Sequence, residues 1–159
     1  MEIRLIKAGL DDAVALHRMQ VEAFTPLLRK YQDHAFSPAT ESLDRLIEKL
    51  KQPNSDFYLI RRGDESVGAI RVVSLNGGEQ GRISPVFILP AFQSQGLAQQ
   101  AIRLVEQLYQ PSHGWCLDTI LEEEGNCHLY EKLGFVRFGA AKLARPGMHL
   151  VSYRKAAVG

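Results

Sequence analysis

Three β-rich runs crowd the middle of the chain, separated by turns too short to do anything but reverse it. FYLIRR (57–62) ends at Gly63–Asp64, SVGAIRVVSL (66–75) ends at Asn76–Gly77–Gly78, and RISPVFIL (82–89) stops at Pro90. Gly, Asn and Asp supply the positive φ angles that tight reversals need, so consecutive runs pair as an antiparallel meander. A repeating βα barrel and a doubly wound sheet are both excluded, because each needs a helical crossover after every strand. Pro85 cannot donate to a ladder, so one side of the third run is unpaired there or bulged.

The flanks supply helices. IRLIKA (3–8) reads as a strand, and DDAVALHRMQVEAF (11–24) as a helix whose acidic start suits the macrodipole. Pro26 is expected to end that helix, leaving residues 25–36 partly irregular. A second helix is expected to open at Ser37 as N-cap with Pro38 in the first helical position, burying Leu43, Leu46, Ile47 and Leu50. A third covers roughly Gln95–Tyr109 with Leu97, Ala101, Leu104, Val105 and Leu108 inward, until Pro111, Ser112 and Gly114 end it. WCLDTIL (115–121) is a strand, and NCHLYEKLG (126–134) a short helix stopped by Gly134, with Phe135 placed for the contact that follows a C-cap. A hairpin around ARPGM closes the chain. The order β-α-α-β-β-β-α-β-α-β-β predicts a mixed α/β fold of the α+β kind, with helices around one sheet, in a single domain over 1–159.

Composition narrows the partners. The 159 residues are 45% hydrophobic and 23% charged with a net charge of +1, so no global electrostatic attraction favours nucleic acid or an anionic membrane. No apolar run approaches the ~20 residues of a membrane span, and the first residues lack a signal-peptide core. Cys116 and Cys127 are then expected as free thiols in a reducing cytoplasm.

The stretch AFQSQGLAQQAI (91–102) carries the chemistry. The first amides of a helix have no internal partners and carry partial positive charge, which makes an anion site suited to phosphate. Gly96 lacks a Cβ, so a diphosphate can approach the backbone, and Gln93 and Gln95 can add neutral donors. The alternative is a glycine that only eases a helix start. The G-x-G-x-x-G dinucleotide fingerprint is absent.

Read with its neighbours, ILPAFQSQGLAQQAI resembles the acyl-CoA motif of the GNAT N-acetyltransferases, V-x-P-x-x-[RQ]-x-x-G-x-[GA], with Ile88, Pro90, Gln93, Gly96 and Ala98 at the matching positions. The family's later N-x-x-x-Y-x-x-x-G-[FY] is met by Asn126, Tyr130, Gly134 and Phe135, after the LDT of 117–119. The resemblance covers essentially the whole chain. It implies a GNAT-like fold, mostly antiparallel, in which the strand before the motif splays from its neighbour. It further implies acetyl-CoA as the acyl donor. Its pantetheine arm would lie against backbone around Phe87, Ile88 and Leu89, and its pyrophosphate on the loop of Gln93, Ser94, Gln95, Gly96, Leu97 and Ala98. Gln93 stands where many members carry Arg, which implies weaker phosphate binding.

By the same resemblance Asn126 contacts the cofactor arm, though it can also be an N-cap, and Tyr130 protonates the leaving thiolate as general acid, though it can also be a packing residue. The implied reaction is direct attack of a neutral amine on the thioester, with no metal and with Cys127 a bystander. The base position falls near Arg82, which is not acidic; Glu79, Asp118, Glu124 and His113 are alternatives, as is a water relay. The acceptor, a small-molecule amine or a peptide amine, would be chosen by the link between the first two helices, where Tyr31, Asp33 and His34 lie; a plain solvated loop is the alternative. A catalytically silent acyl-CoA sensor is the competing function, and a homodimer is possible.

Overall fold

The short turns do produce a meander. In the computed structural model, which describes residues 2–157, β2 (Ser55–Arg62), β3 (Glu65–Leu75) and β4 (Gln80–Ile88) pair antiparallel in sequence. β1 (Arg4–Lys7) adds antiparallel to β2. Beyond β4 lie β5 (Trp115–Ile120), β7 (Met148–Lys155) and β6 (Val136–Arg145), completing a seven-stranded sheet in the order β1-β2-β3-β4-β5-β7-β6. Among the described residues only β4 and β5 run parallel, and they are the neighbours joined through a helix, α3 (Leu97–Leu108). With α1 (Ala13–Tyr31), α2 (Leu43–Lys51) and α4 (Glu124–Lys132), the order is the one expected.

The alternation of the strands builds a core on each side of the sheet. Phe57, Leu59, Ala69 and Phe87 pack with Leu16, Ala23 and Leu46 of α1 and α2. Ile60, Ile70, Ile83 and Ile88 pack with Ala101, Ile102 and Val105 of α3 and with Cys127 and Tyr130 of α4. Each strand thus serves two layers through its period of two.

The parallel junction is where the sheet opens. β4 and β5 pair only at Gly81–Trp115 and Arg82–Cys116, then run on to Ile88 and Ile120 without further partners. Gly81 sits at the closed end, where a Cβ would meet the Trp115 ring at 2.6 Å. On the β3 side the register slips, so that Arg71 alone stands opposite both Ser84 and Pro85. This is the irregularity expected of Pro85. Arg71 compensates for it. Its buried guanidinium (8% exposed) donates to the Ser84 carbonyl at 3.0 Å, to Ser55 Oγ at 2.7 Å and to Gln52 Oε1 at 3.0 Å.

Three local expectations are corrected. Pro26 does not end α1, which runs on to Tyr31 and stops where Gln32 takes φ 57°. The cost of a proline within a helix is met by tertiary contacts: Arg145 holds the Tyr31 carbonyl at 3.1 Å and the Tyr31 hydroxyl donates to Glu123 at 2.5 Å. Ser37 and Pro38 open only a 3-10 turn, and α2 begins later with Ser42 as its cap, its Oγ accepting from the Arg45 amide at 3.1 Å. α3 begins at Leu97 and buries Ile102, while Leu108 at its end is exposed.

Candidate active site

After Ile88 a single 3-10 turn over Pro90–Phe92 leads into a loop in which Ser94 (φ 64°) and Gly96 (φ 75°) are both left-handed. Such alternation points successive amides the same way, forming a concave nest. Among the described residues, no acceptor pairs with the amides from Ser94 through Gln99; the first helical bond is Gln100 N–H to the Gly96 carbonyl at 3.1 Å. A Cβ on Gly96 would meet no atom within 4 Å. Glycine is therefore set there by the backbone angle, and the face it presents is open. A run of free amides at the positive end of α3 fits a diphosphate.

The glutamines act differently from the expectation. Gln93 Nε2 donates back to the Ile88 carbonyl at 3.0 Å, bracing the loop. Gln95 Oε1 accepts from Arg62 at 2.6 Å, and that guanidinium lies 5.2 Å over the Phe92 ring. A cation thus borders the loop from β2, a contribution no local motif announced.

Of the strand before the loop, Leu89 donates its amide to the Val67 carbonyl at 2.8 Å, toward β3, and Phe87 pairs with Ala69. Ile88 points the other way, as its bond from Gln93 shows, so its N–H lies on the opened side. A cavity of about 380 Å³ runs from the loop along Val86–Ile88 to Asn126 and Tyr130 of α4. Leu89 and Gln95 do not line it.

α4 ends in a Schellman motif. Phe135 N–H bonds the Tyr130 carbonyl at 3.0 Å, Gly134 N–H bonds Glu131 at 3.0 Å, and Gly134 has φ 96°. Phe135 is thereby driven into the core, edge-on to Tyr130 at 6.1 Å. The chain has five tyrosines. Tyr31 bonds Glu123, Tyr58 and Tyr109 bond each other, Tyr109 also bonds Asp56, and Tyr153 bonds Glu131. Tyr130, 7% exposed, has no hydroxyl partner among the described residues. Burial, with Cys127 nearby, pushes it up to about 12, so it is a protonated donor at neutral pH. Asn126, one turn earlier, is likewise without a side-chain partner; the N-cap position is held by Glu123.

A second cavity of about 390 Å³ meets the first. Phe24, Leu27, Val86, Asn126 and Tyr130 line both. The free phenol therefore stands at the junction of a phosphate-suited channel and a separate chamber.

The model of the acetyltransferase (GNAT) family matches residues 14–135. The chain belongs to the GNAT family. The uncharacterized N-acetyltransferase YjgM of Escherichia coli (strain K12) is 29% identical over 107 residues, 65% of this chain and 64% of that relative's length. Two solved GNAT-like folds superpose over 98% of this chain. The spermidine N-acetyltransferase of Vibrio cholerae, in complex with CoA and spermine, matches over 95% of its length with a TM-score of 0.77 at 17% identity. The ribosomal-protein-S18-alanine N-acetyltransferase of Escherichia coli matches over 94% with a TM-score of 0.75 at 13% identity.

Within this GNAT chain the base candidates are dispersed. Glu79 lies in the turn before β4, paired with His113 at 3.4 Å, and neither lines either of these two cavities. Glu124 is exposed in the first turn of α4, outside both cavities. Asp118 does line the second cavity, but it accepts from Arg82 at 2.7 Å and Ser152 at 2.6 Å. Burial raises its carboxyl, and those two bonds outweigh burial and hold it below the usual range. Glu123, which sequence reasoning missed, is engaged by Tyr31 and by Lys30 at 2.7 Å. Tyr31 and Asp33 line the second cavity, whereas His34 is exposed and pairs with Gln32 at 3.1 Å. Among the described residues no helix is long and apolar enough to cross a membrane, and no group of His, Cys, Asp and Glu could hold a metal ion.

Proposed function

We propose that this chain transfers an acetyl group from acetyl-CoA to a primary amine by direct attack in a ternary complex, with Tyr130 as general acid. The observation that carries the proposal is the unpartnered Tyr130 hydroxyl where the two cavities meet. Acetyl-CoA supplies the activated acyl group as a thioester. The amides of Ser94–Gln99 hold its pyrophosphate, Ile88 N–H offers a donor on the opened side of β4, and Asn126 orients the arm. Tyr130 keeps its proton until a thiolate needs it. Glu79, Asp118, Glu123 and Glu124 are exposed or engaged, so a water relay carries the amine's proton away. A Lys-like pKa of ~10.4 lies about three units above neutrality, a cost of roughly 4 to 5 kcal/mol that a slow enzyme tolerates.

Small-molecule and peptide amines are both within the proposal, given a polyamine enzyme and a ribosomal-protein enzyme among the structures it resembles. A silent acyl-CoA-binding module would have no use for a free phenol at the junction. The test is free-thiol release from acetyl-CoA with a panel of amines, alongside thermal stabilisation by acetyl-CoA. Stabilisation with turnover supports transfer, stabilisation without turnover supports the silent module, and neither rejects both.

A further inference from the structure

We infer that the second cavity selects a primary amine carried on an apolar or aromatic body, and rejects acceptors with an anionic group, several charges or many hydroxyls beside the amine. This rests on the acyl-transfer proposal and names the acceptor class for that same site.

The lining carries the inference. Its walls come from α1, the middle of β4, the end of β5 and β7, and they are aliphatic: Leu27, Leu28, Ile83, Ile120, Met148 and Leu150. Of the polar groups among them, the side chains of Tyr31, Ser37, Arg82 and Asp118 are already engaged, while those of Ser84, Thr119, Asn126 and Tyr130 have no partner among the described residues. The Tyr31 hydroxyl is given to Glu123, and the Ser84 carbonyl is held by Arg71. Arg82 is the cation that borders the chamber, and its partner Asp118 is itself fixed by Ser152. An acceptor carboxylate or phosphate would have to displace Asp118 from Arg82. An acceptor with many hydroxyls would set those beyond the few free polar groups against aliphatic walls without partners, and this is penalised far more steeply than a change in apolar volume. A linear polyamine would strand a second ammonium against the aliphatic walls.

One carboxylate remains. Asp33 lines the chamber just after the C-terminus of α1, and its side chain has no partner among the described residues. Phe36, 88% exposed, lines the same edge of the chamber. A carboxylate beside an aromatic ring at the rim attracts an incoming ammonium, while the apolar walls beyond take the body that carries it. The formal charge of the chamber, from Asp33, Asp118 and Arg82, is negative, which suits a monocation on arrival.

The experiment compares kcat/KM on one enzyme preparation for 2-phenylethylamine, tryptamine and hexylamine against glutamate, kanamycin, spermidine and a tetrapeptide. Thermal stabilisation by acetyl-CoA is read in parallel. The three apolar amines are expected to lead by ~10-fold or more. Leu150→Ser, at a partly exposed position, is expected to lower kcat/KM for them about 5-fold with the acetyl-CoA KM unchanged. Asp33→Asn is expected to raise their KM about 3-fold while sparing kcat. If acetyl-CoA stabilises the protein and any of the polar or polycationic acceptors leads, the acceptor class is overturned and the transfer proposal stands. If acetyl-CoA stabilises the protein but no amine is acetylated, or if it gives no stabilisation, both fall.

Discussion

The two cavities that meet at Tyr130 are built by opposite means. The first offers main-chain donors left free by a nest and a helix start, with glutamine side chains turned aside to brace the loop. The second offers side chains from separate elements, a set of aliphatic walls with several polar groups such as Tyr31, Arg82 and Asp118 engaged with other side chains. A main-chain site demands little of the sequence except backbone angles, and one ligand can be held by it across many divergent chains. A side-chain site drawn from separate elements can be rewritten residue by residue. On the proposed function, the difference assigns constancy to the acyl donor and variability to the acceptor.

The comparison can be broken at four places. Gly96→Glu should have the largest effect. It forces a Cβ into φ 75° and sets a negative charge before the free amides, and acetyl-CoA binding by calorimetry should weaken by ~100-fold or more. Tight binding by this variant would mean that the nest is not the phosphate site. Arg71→Met comes next. It removes the donors that satisfy the Ser84 carbonyl at the bulge, so melting should fall by about 2 kcal/mol in stability and the acetyl-CoA KM should rise about 10-fold. A variant that loses stability with an unchanged KM would separate the bulge from the cofactor channel. Arg62→Ala should raise the acetyl-CoA KM only about 3-fold and flatten its salt dependence, because that cation borders the loop while the proposed grip on the ligand comes from the amides. The smallest effect is a negative one. With Tyr130 pushed up to about 12, its protonated fraction stays constant from neutral pH to about pH 10. kcat/KM should then rise with pH as the amine loses its proton, with no falling limb below pH 10; a fall near pH 8 or 9 would show a different acid.

What was legible in the sequence follows the same division. The meander and the loop at Gly96 are local patterns of turn residues and periodicity, and they appear where expected. Pro85 announced an interruption in β4, yet not Arg71, which repairs it from a neighbouring strand. Pro26 was misleading because its helix is held from outside, by Arg145 and Glu123, contacts more than 90 residues away in the chain. Asn126 and Tyr130 were marked by the family motif that they match. The absence of a partner for the Tyr130 hydroxyl, which distinguishes it from the other tyrosines, exists only in three dimensions. The acceptor chamber was barely visible, since α1, β4, β5 and β7 each give it a few ordinary apolar residues.

The most direct measurement is the turnover of Tyr130→Phe set beside its affinity for acetyl-CoA. Removing one oxygen from a packed ring leaves the contacts with Phe135 and Tyr153 in place. If Tyr130 supplies the proton at the junction of the cavities, kcat should fall by ~100-fold while the Kd for acetyl-CoA changes by less than about 2-fold. An unchanged kcat would make Tyr130 a packing residue and contradict the account.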